Sequence, residues 1–242
     1  RGGLESSEIK QLIALAETPL PHGLQGSVSS CDFISLYAAN LRQKIISETG
    51  CDQPLAGLNI IVDAGNGAGG FFADRVLAPL GADTSGSQFL EPDGHFPNHI
   101  PNPENARAME SLVQAVQKHN ADFGLIFDTD VDRVGAVDKG GVVVNKNRLI
   151  AVISAILLRE TPGATIVTDS ITSTGLAQFI KAHGGKHHRF KRGYKNVINE
   201  AISLNRQGCY TPLAIETSGH AALKENYFLD DGAYLAIRLL IE

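Results

Sequence analysis

The chain has few cysteines, and none is placed to form a pair. Cys31, Cys51 and Cys209 lie far apart, which excludes a metal-type or redox-type cysteine motif and leaves a reducing intracellular compartment, cytoplasm or organellar stroma, as the expectation. Long apolar runs are also missing. None reaches the ~18 residues of a membrane span, and the longest, Leu149 to Leu158, reads as a buried helix; no membrane partner is expected. There is no excess of positive charge either. With 21 Lys and Arg against 26 Asp and Glu the net charge is -5, which argues against a general nucleic-acid binder, so anionic ligands must be held by local basic groups. The chain begins at Arg1 with neither Met nor a signal peptide, a pattern read here as a processed or truncated piece of something longer.

What is present is the composition of a globular α/β protein. At 242 residues, 43% hydrophobic and 19% charged with 25 glycines, the chain is sized for one large or two ordinary domains. Helical spacing of Ile9, Leu12, Ile13 and Ala16 predicts a helix from Glu5 to Glu17, capped by Ser6 or Ser7 and ended by Pro19, Pro21 and Gly23. A second helix is expected from Asp32 to Ser47, then a strand from Leu58 to Val62. The glycine-rich turn from Asp63 to Gly70 matches the spacing of a dinucleotide fingerprint, with Glu91 downstream. Such a turn is more often only a tight connection into a helix, here expected through Leu80. A further strand is expected near Gly86 to Leu90.

The stretch from Pro92 to Glu104 is too rich in Pro, Asn and Gly for regular structure, and its His95 and His99 are expected at the surface. A helix from Asn105 to Asn120 precedes the strand Phe123 to Phe127, and Arg133 to Val144 reads as a hairpin turned at Lys139-Gly140-Gly141. A strand-helix alternation then restarts near Asn145, which is taken as a domain boundary. It comprises a helix from Asn147 to Glu160, a strand from Ala164 to Thr168, a helix from Ser173 to His183, and a strand from His187 to Phe190. A helix to about Asn205, the strand Leu213 to Ile215 and a last helix after Asp230-Asp231-Gly232 complete the pattern.

The chemistry is concentrated in three loops. Asp128-Thr129-Asp130-Val131-Asp132-Arg133 follows a buried strand and gathers three carboxylates that need a cation; oxygen-only ligands on a short loop suit Mg²⁺. Arg133 adds a fork suited to a phosphoryl group. An EF-hand would need Gly and Glu where Arg133 and Lys139 stand. A phosphotransferase with Asp128 as nucleophile would share the Asp-x-Asp but not the third Asp or the Arg, and a solvated acidic turn is the plain alternative. The second loop, Lys191-Arg192-Gly193-Tyr194-Lys195-Asn196, puts cations and backbone amides at a helix start, where a phosphate can bind unless the turn is merely solvated. In the third, Glu216, Ser218 and His220 emerge from a strand end, where ligands of open α/β sheets bind, and a carboxylate beside a hydroxyl can take neighbouring sugar hydroxyls. A hydrolase triad is excluded because the nucleophile-elbow pattern is absent.

With these loops in this order, the chain resembles the α-D-phosphohexomutases: phosphoglucomutase, phosphomannomutase and phosphoglucosamine mutase. The resemblance rests on Asp128 to Arg133, Asp93 to Glu104, Glu216 to His220, Lys224-Glu225 and Asp230-Asp231-Gly232. It implies an α/β fold of two consecutive three-layer domains with mixed, mostly parallel sheets. Residues 1–30 would be the tail of the family's first domain, 31–145 its metal-loop domain and 146–242 its sugar-recognition domain. The family's serine motif, of the type T-A-S-H-N-P, and its C-terminal phosphate clamp do not occur, so partner domains 1 and 4 of the same parent protein are implied.

By the same resemblance Asp128, Asp130 and Asp132 would hold Mg²⁺. Arg133 and His220 would act on the transferring group and as acid/base. Glu216, Ser218, Lys191, Arg192, Gly193 and Tyr194 would bind a hexose phosphate or hexose bisphosphate, and the glycine-rich turn would be structural. The chain departs from the family at Thr217, where Met is common, at Ile171, where some bacterial members have Lys, and at Tyr194, where they have His.

Overall fold

The computed structural model describes residues 4–19, 23, 26–144 and 146–242. Pro21, expected to help end the first helix, and Asn145, expected at a domain boundary, lie outside them. The first sheet is built from β1 (Ile60–Asp63), β2 (Phe123–Phe127), β3 (Val134–Asp138) and β4 (Val143–Val144), in that spatial order. β1 pairs parallel with β2, and the β2–β3 and β3–β4 pairings are antiparallel. This half of the fold is therefore mixed without being mostly parallel, because the connections after β2 are too short for a crossover helix. The segment expected as a strand near Gly86 to Leu90 contributes only an isolated parallel bridge, Asp63 to Gln88.

Two-residue periodicity sends alternate side chains of these strands to opposite faces. Ile61 and Ile126 meet Ala108, Met109, Leu112 and Val116 of α3 (Ala106–His119). Ile60, Val62, Leu125 and Phe127 meet Leu41 and Ile45 of α2 (Phe33–Thr49) together with Phe72 and Leu77. That last pair lies in a segment that winds irregularly, as short 3₁₀ turns around a π-type stretch from Phe72 to Leu77, where a regular helix was expected.

The second sheet has the spatial order β6 (Lys186–Phe190), β5 (Thr165–Asp169), β7 (Leu213–Ile215), β8 (Ala221–Leu223). Its first two pairings are parallel and the last is antiparallel. One face packs on α6 (Tyr194–Arg206) through Val167, Ala214, Val197, Ile198 and Ala201. The other packs on α4 (Asn147–Glu160), α5 (Thr174–Ala182) and α7 (Gly232–Leu240). Strand β8 had no sequence signal strong enough to separate it from the loop before it.

The same apolar cluster runs through both halves, since α7 contributes Ala233, Leu235 and Ile237 to the core that also holds Leu41 and Phe127. Polar contacts reinforce this junction: the Tyr37 hydroxyl donates to Asp231 Oδ1 (2.6 Å), and Lys44 pairs with Glu225 (2.7 Å). The first helix, α1 (Ser6–Ala16), forms as expected, but Glu5 and Glu8 make its capping box in place of Ser6 or Ser7, and none of its residues is buried.

Candidate active site

The metal loop is shaped by strain and by close packing. Val131, a β-branched residue, sits at φ 72°, a left-handed conformation that such side chains normally avoid and that surrounding contacts must enforce. Those contacts are visible on both sides. The Ala68 amide donates to Thr129 O (2.8 Å), and the Gly232 amide, at the start of α7, donates to Val131 O (2.9 Å). A Cβ at Gly67 would lie 2.8 Å from Thr129 O. The glycine-rich turn therefore serves close approach beneath the aspartate loop, which is the structural role expected of it.

So folded, Asp128, Asp130 and Asp132 bring carboxylate oxygens within 4.8 Å of one another. Asp128 is buried and receives Arg133 twice, at Oδ1 from the backbone amide (3.0 Å) and at Oδ2 from Nε (2.8 Å). Each oxygen accepts one of these hydrogen bonds and keeps a second lone pair. Burial and the adjacent Asp128 push the Asp132 carboxyl up to about 7, and its Oδ1 is buried without a hydrogen bond, with Arg133 Nε 3.7 Å away. Hard oxygen donors crowded enough to raise one carboxyl's pKa, with one buried oxygen lacking a hydrogen bond, fit a divalent cation. The trio is placed to hold a metal ion.

Glu216 to His220 form the turn of the β7–β8 hairpin, closed by the Glu216 amide donating to His220 O (2.9 Å). Glu216 is buried, and its Oε1 accepts from the Gly193 amide (2.6 Å). Burial raises its pKa, and the Gly193 hydrogen bond only partly offsets this. The Gly193 amide, expected to be open for a phosphate, is thereby taken; Lys191 and Arg192 stand exposed beside it. Ser218 Oγ is buried without a partner, so it has hydrogen-bonding capacity to offer a ligand hydroxyl. Beneath the turn, the backbone amide and hydroxyl of Thr217 both donate to Asp169 Oδ2, at 3.2 and 2.8 Å.

The two loops meet. Arg133 and His220 form an antiparallel backbone bridge, and His220 Nδ1 lies 2.8 Å from Asp230 Oδ2 and 3.6 Å from Asp132 Oδ2. Burial alone would lower the His220 pKa, but the Asp230 hydrogen bond and the two carboxylate charges raise it on balance. Tyr194 stacks on the imidazole with ring centroids 5.0 Å apart. Asp230 was not singled out in the sequence for this contact, because the β7–β8 hairpin that returns it to His220 was not legible. Ile171 is 56% exposed and touches none of these groups by hydrogen bond.

Residues 35–141 match the family model described as phosphoglucomutase/phosphomannomutase, alpha/beta/alpha domain II, and residues 145–241 match that for domain III. A phosphoglucomutase from Neisseria gonorrhoeae is 34% identical over 240 residues, covering 98% of this chain and 49% of that protein. A phosphomannomutase/phosphoglucomutase from Pseudomonas syringae pv. tomato is 34% identical over 238 residues, covering 98% of this chain and 48% of that protein. The chain thus spans about half the length of the curated relatives it matches. Among solved structures, a phosphoglucomutase/phosphomannomutase family protein from Burkholderia thailandensis superposes with a TM-score of 0.71 at 33% identity, over 83% of this chain and 43% of that one. With both domain models satisfied in sequence order, and with relatives of this identity along nearly all of its length, the chain belongs to the phosphoglucomutase/phosphomannomutase family.

Proposed function

We propose that this chain supplies the metal and sugar-recognition half of a phosphohexomutase that interconverts hexose 1-phosphate and hexose 6-phosphate through a phosphoserine and a bisphosphate intermediate. The domain division that goes with this reading is 1–30, 31–145 and 146–242. The phosphoserine and the last phosphate clamp come from other domains of the same protein. The observation that carries the reading is the meeting of the aspartate loop and the Glu216 hairpin through the Arg133–His220 backbone bridge, with His220 Nδ1 3.6 Å from Asp132 Oδ2.

Phosphoryl transfer asks a protein mainly for positioning and charge stabilisation. Asp128, Asp130 and Asp132 hold Mg²⁺, which when bound neutralises charge on the phosphoryl oxygens. Arg133, anchored by Asp128, presents the rest of its guanidinium to the transferring group. Glu216 accepts from one sugar hydroxyl through the oxygen that Gly193 leaves free, and Ser218 Oγ serves its neighbour. His220, oriented at Nδ1 by Asp230, exchanges a proton with the reacting hydroxyl at Nε2, while Lys191 and Arg192 attract the phosphate that is not reacting. The reactive compartment is intracellular and reducing, in keeping with Cys31, Cys51 and Cys209, which are all free thiols.

The test is conversion of glucose 1-phosphate with Mg²⁺ and glucose 1,6-bisphosphate. A complete protein carrying this stretch should turn over, and Asp130→Asn, a change on an exposed loop residue, should remove most of the activity without altering the melting temperature. The 242-residue chain alone should bind Mg²⁺ weakly and show negligible turnover. Robust turnover by the chain alone would overturn the division of labour proposed here.

A further inference from the structure

The loop from Pro92 to Glu104 is the one sequence feature that the proposed chemistry leaves without a task. His99, expected at the surface, is buried at 5% exposure against Asp63, which is 0% exposed at the end of β1. His99 Nε2 lies 3.0 Å from both Asp63 oxygens, and its Nδ1 lies 3.1 Å from the Ile100 carbonyl. A carbonyl can only accept, and so can a carboxylate that already receives the Gly65 amide (2.9 Å) and the Gln88 side-chain amide (2.8 Å). With the Asp63 carboxylate and the Ile100 carbonyl as acceptors, both ring nitrogens are placed to donate, the arrangement of an imidazolium. The Asp63 hydrogen bond raises its pKa against the opposing effect of burial. Arg107 and Glu110 of α3, with Phe89 edge-on at 5.5 Å, complete its surroundings.

This buried ion pair fixes the chain three residues before Asn102, whose role follows from its own contacts. Asn102 Oδ1 accepts from the Glu104 amide (2.9 Å), which orients the side chain, and from Arg133 Nη1 (3.2 Å). Arg133 is thus held at two places, by Asp128 at Nε and by Asn102 at Nη1. We propose that Asn102 is a positioning residue for Arg133, and that the buried His99–Asp63 ion pair sets Asn102 in place from the far side of the loop. The inference deepens the mutase reading, on which the catalytic consequence rests, because a guanidinium fixed at two points loses less freedom when it meets a phosphoryl group.

The test separates the two. In the 242-residue chain, ¹⁵N spectra at pH 7.5 should show both His99 nitrogens protonated; one protonated nitrogen would overturn the ion pair. Asn102→Ala should speed hydrogen exchange at the Arg133 Nη1–H, which donates to Asn102 Oδ1, about five- to tenfold, the size of one lost hydrogen bond, and Asn102→Asp, which keeps an oxygen acceptor there, should restore it. Unchanged exchange in Asn102→Ala would overturn the positioning role. If Asn102→Ala does not fold, Asn102→Ser is read in the same way. In a complete mutase, Asn102→Ala should lower kcat about tenfold with KM within twofold, and Asn102→Asp should recover most of it. A parent protein without turnover, combined with altered Arg133 exchange, would retain the positioning role and sink the mutase reading.

Discussion

Replacing Gly232 by Ala tests whether the aspartate loop is braced by the second half of the fold. A Cβ at this position would lie 2.7 Å from Arg133 C, 2.9 Å from Arg133 O and 2.9 Å from Val131 O. All three are backbone atoms, so no side chain can rotate away. To reach ordinary contact near ~3.5 Å the loop or the start of α7 must move by about 0.8 Å, and overpacking of this kind costs about 1–3 kcal/mol. The move also stretches the hydrogen bond from the Gly232 amide to Val131 O (2.9 Å), adding about 1 kcal/mol. The better helix propensity of Ala returns up to about 1 kcal/mol.

The net loss is about 1–3 kcal/mol, or roughly 3–10 °C in melting temperature for a chain of this size. Thermal denaturation followed by circular dichroism measures it, and a Mg²⁺ titration should show weaker binding because the carboxylates spread. Gly94→Ala, where no atom lies within 4 Å of the added methyl, is the control and should melt within about 1 °C of the parent. If Gly232→Ala melts as the control does and keeps its Mg²⁺ affinity, the bracing argument is wrong.

Thr217→Val removes the hydroxyl that donates to the fully buried Asp169 (2.8 Å). Urea denaturation should show a loss of about 1–3 kcal/mol, recovered by Thr217→Ser; equal midpoints for Val and Ser would refute the contact. His187 responds to acid. Burial, with the charges of Arg189 and His188, lowers its pKa from 6.5 to about 4, so the native state holds it neutral where the unfolded chain is protonated. Its contribution is complete above pH 6.5 and fades as pH falls toward 4. Because the ring is only half-buried, screening limits that contribution to about 1–2 kcal/mol. The fall in unfolding free energy from urea denaturation between pH 7 and 4.5 should be smaller in His187→Phe than in the parent by that amount.

Sequence periodicity carried most of the secondary structure, for a clear reason. Helix α4 was placed from Asn147 to Glu160 because its apolar residues recur at helical spacing and face a core. The aspartate loop and the Glu216 turn were legible because each follows an apolar strand, and the basic loop because its cations open a helix. What escaped depends on tertiary context. The winding from Phe72 to Leu77 follows from packing against Phe127 and α2, to which spacing is blind. His99 looked like a surface histidine because its partner, Asp63, is remote in sequence and was absorbed into a glycine-rich pattern. Asp230 stood in plain view before a helix, yet only the hairpin return of β8 directs it at His220. The apolar residues of α1 predicted the helix correctly, and none of them is buried by any described residue.

The backbone bridge between Arg133 and His220 has a consequence for how hexoses could be told apart. It stitches the aspartate loop to the Glu216–His220 turn, the seats proposed above for the ion and the sugar, like two jaws cast in one piece. Their gauge stays the same whichever end of a substrate is presented, which suits a reaction in which the same sugar must be gripped in two orientations. Under the mutase reading proposed above, discrimination among hexoses then falls to the pattern of donors and acceptors on the two loops.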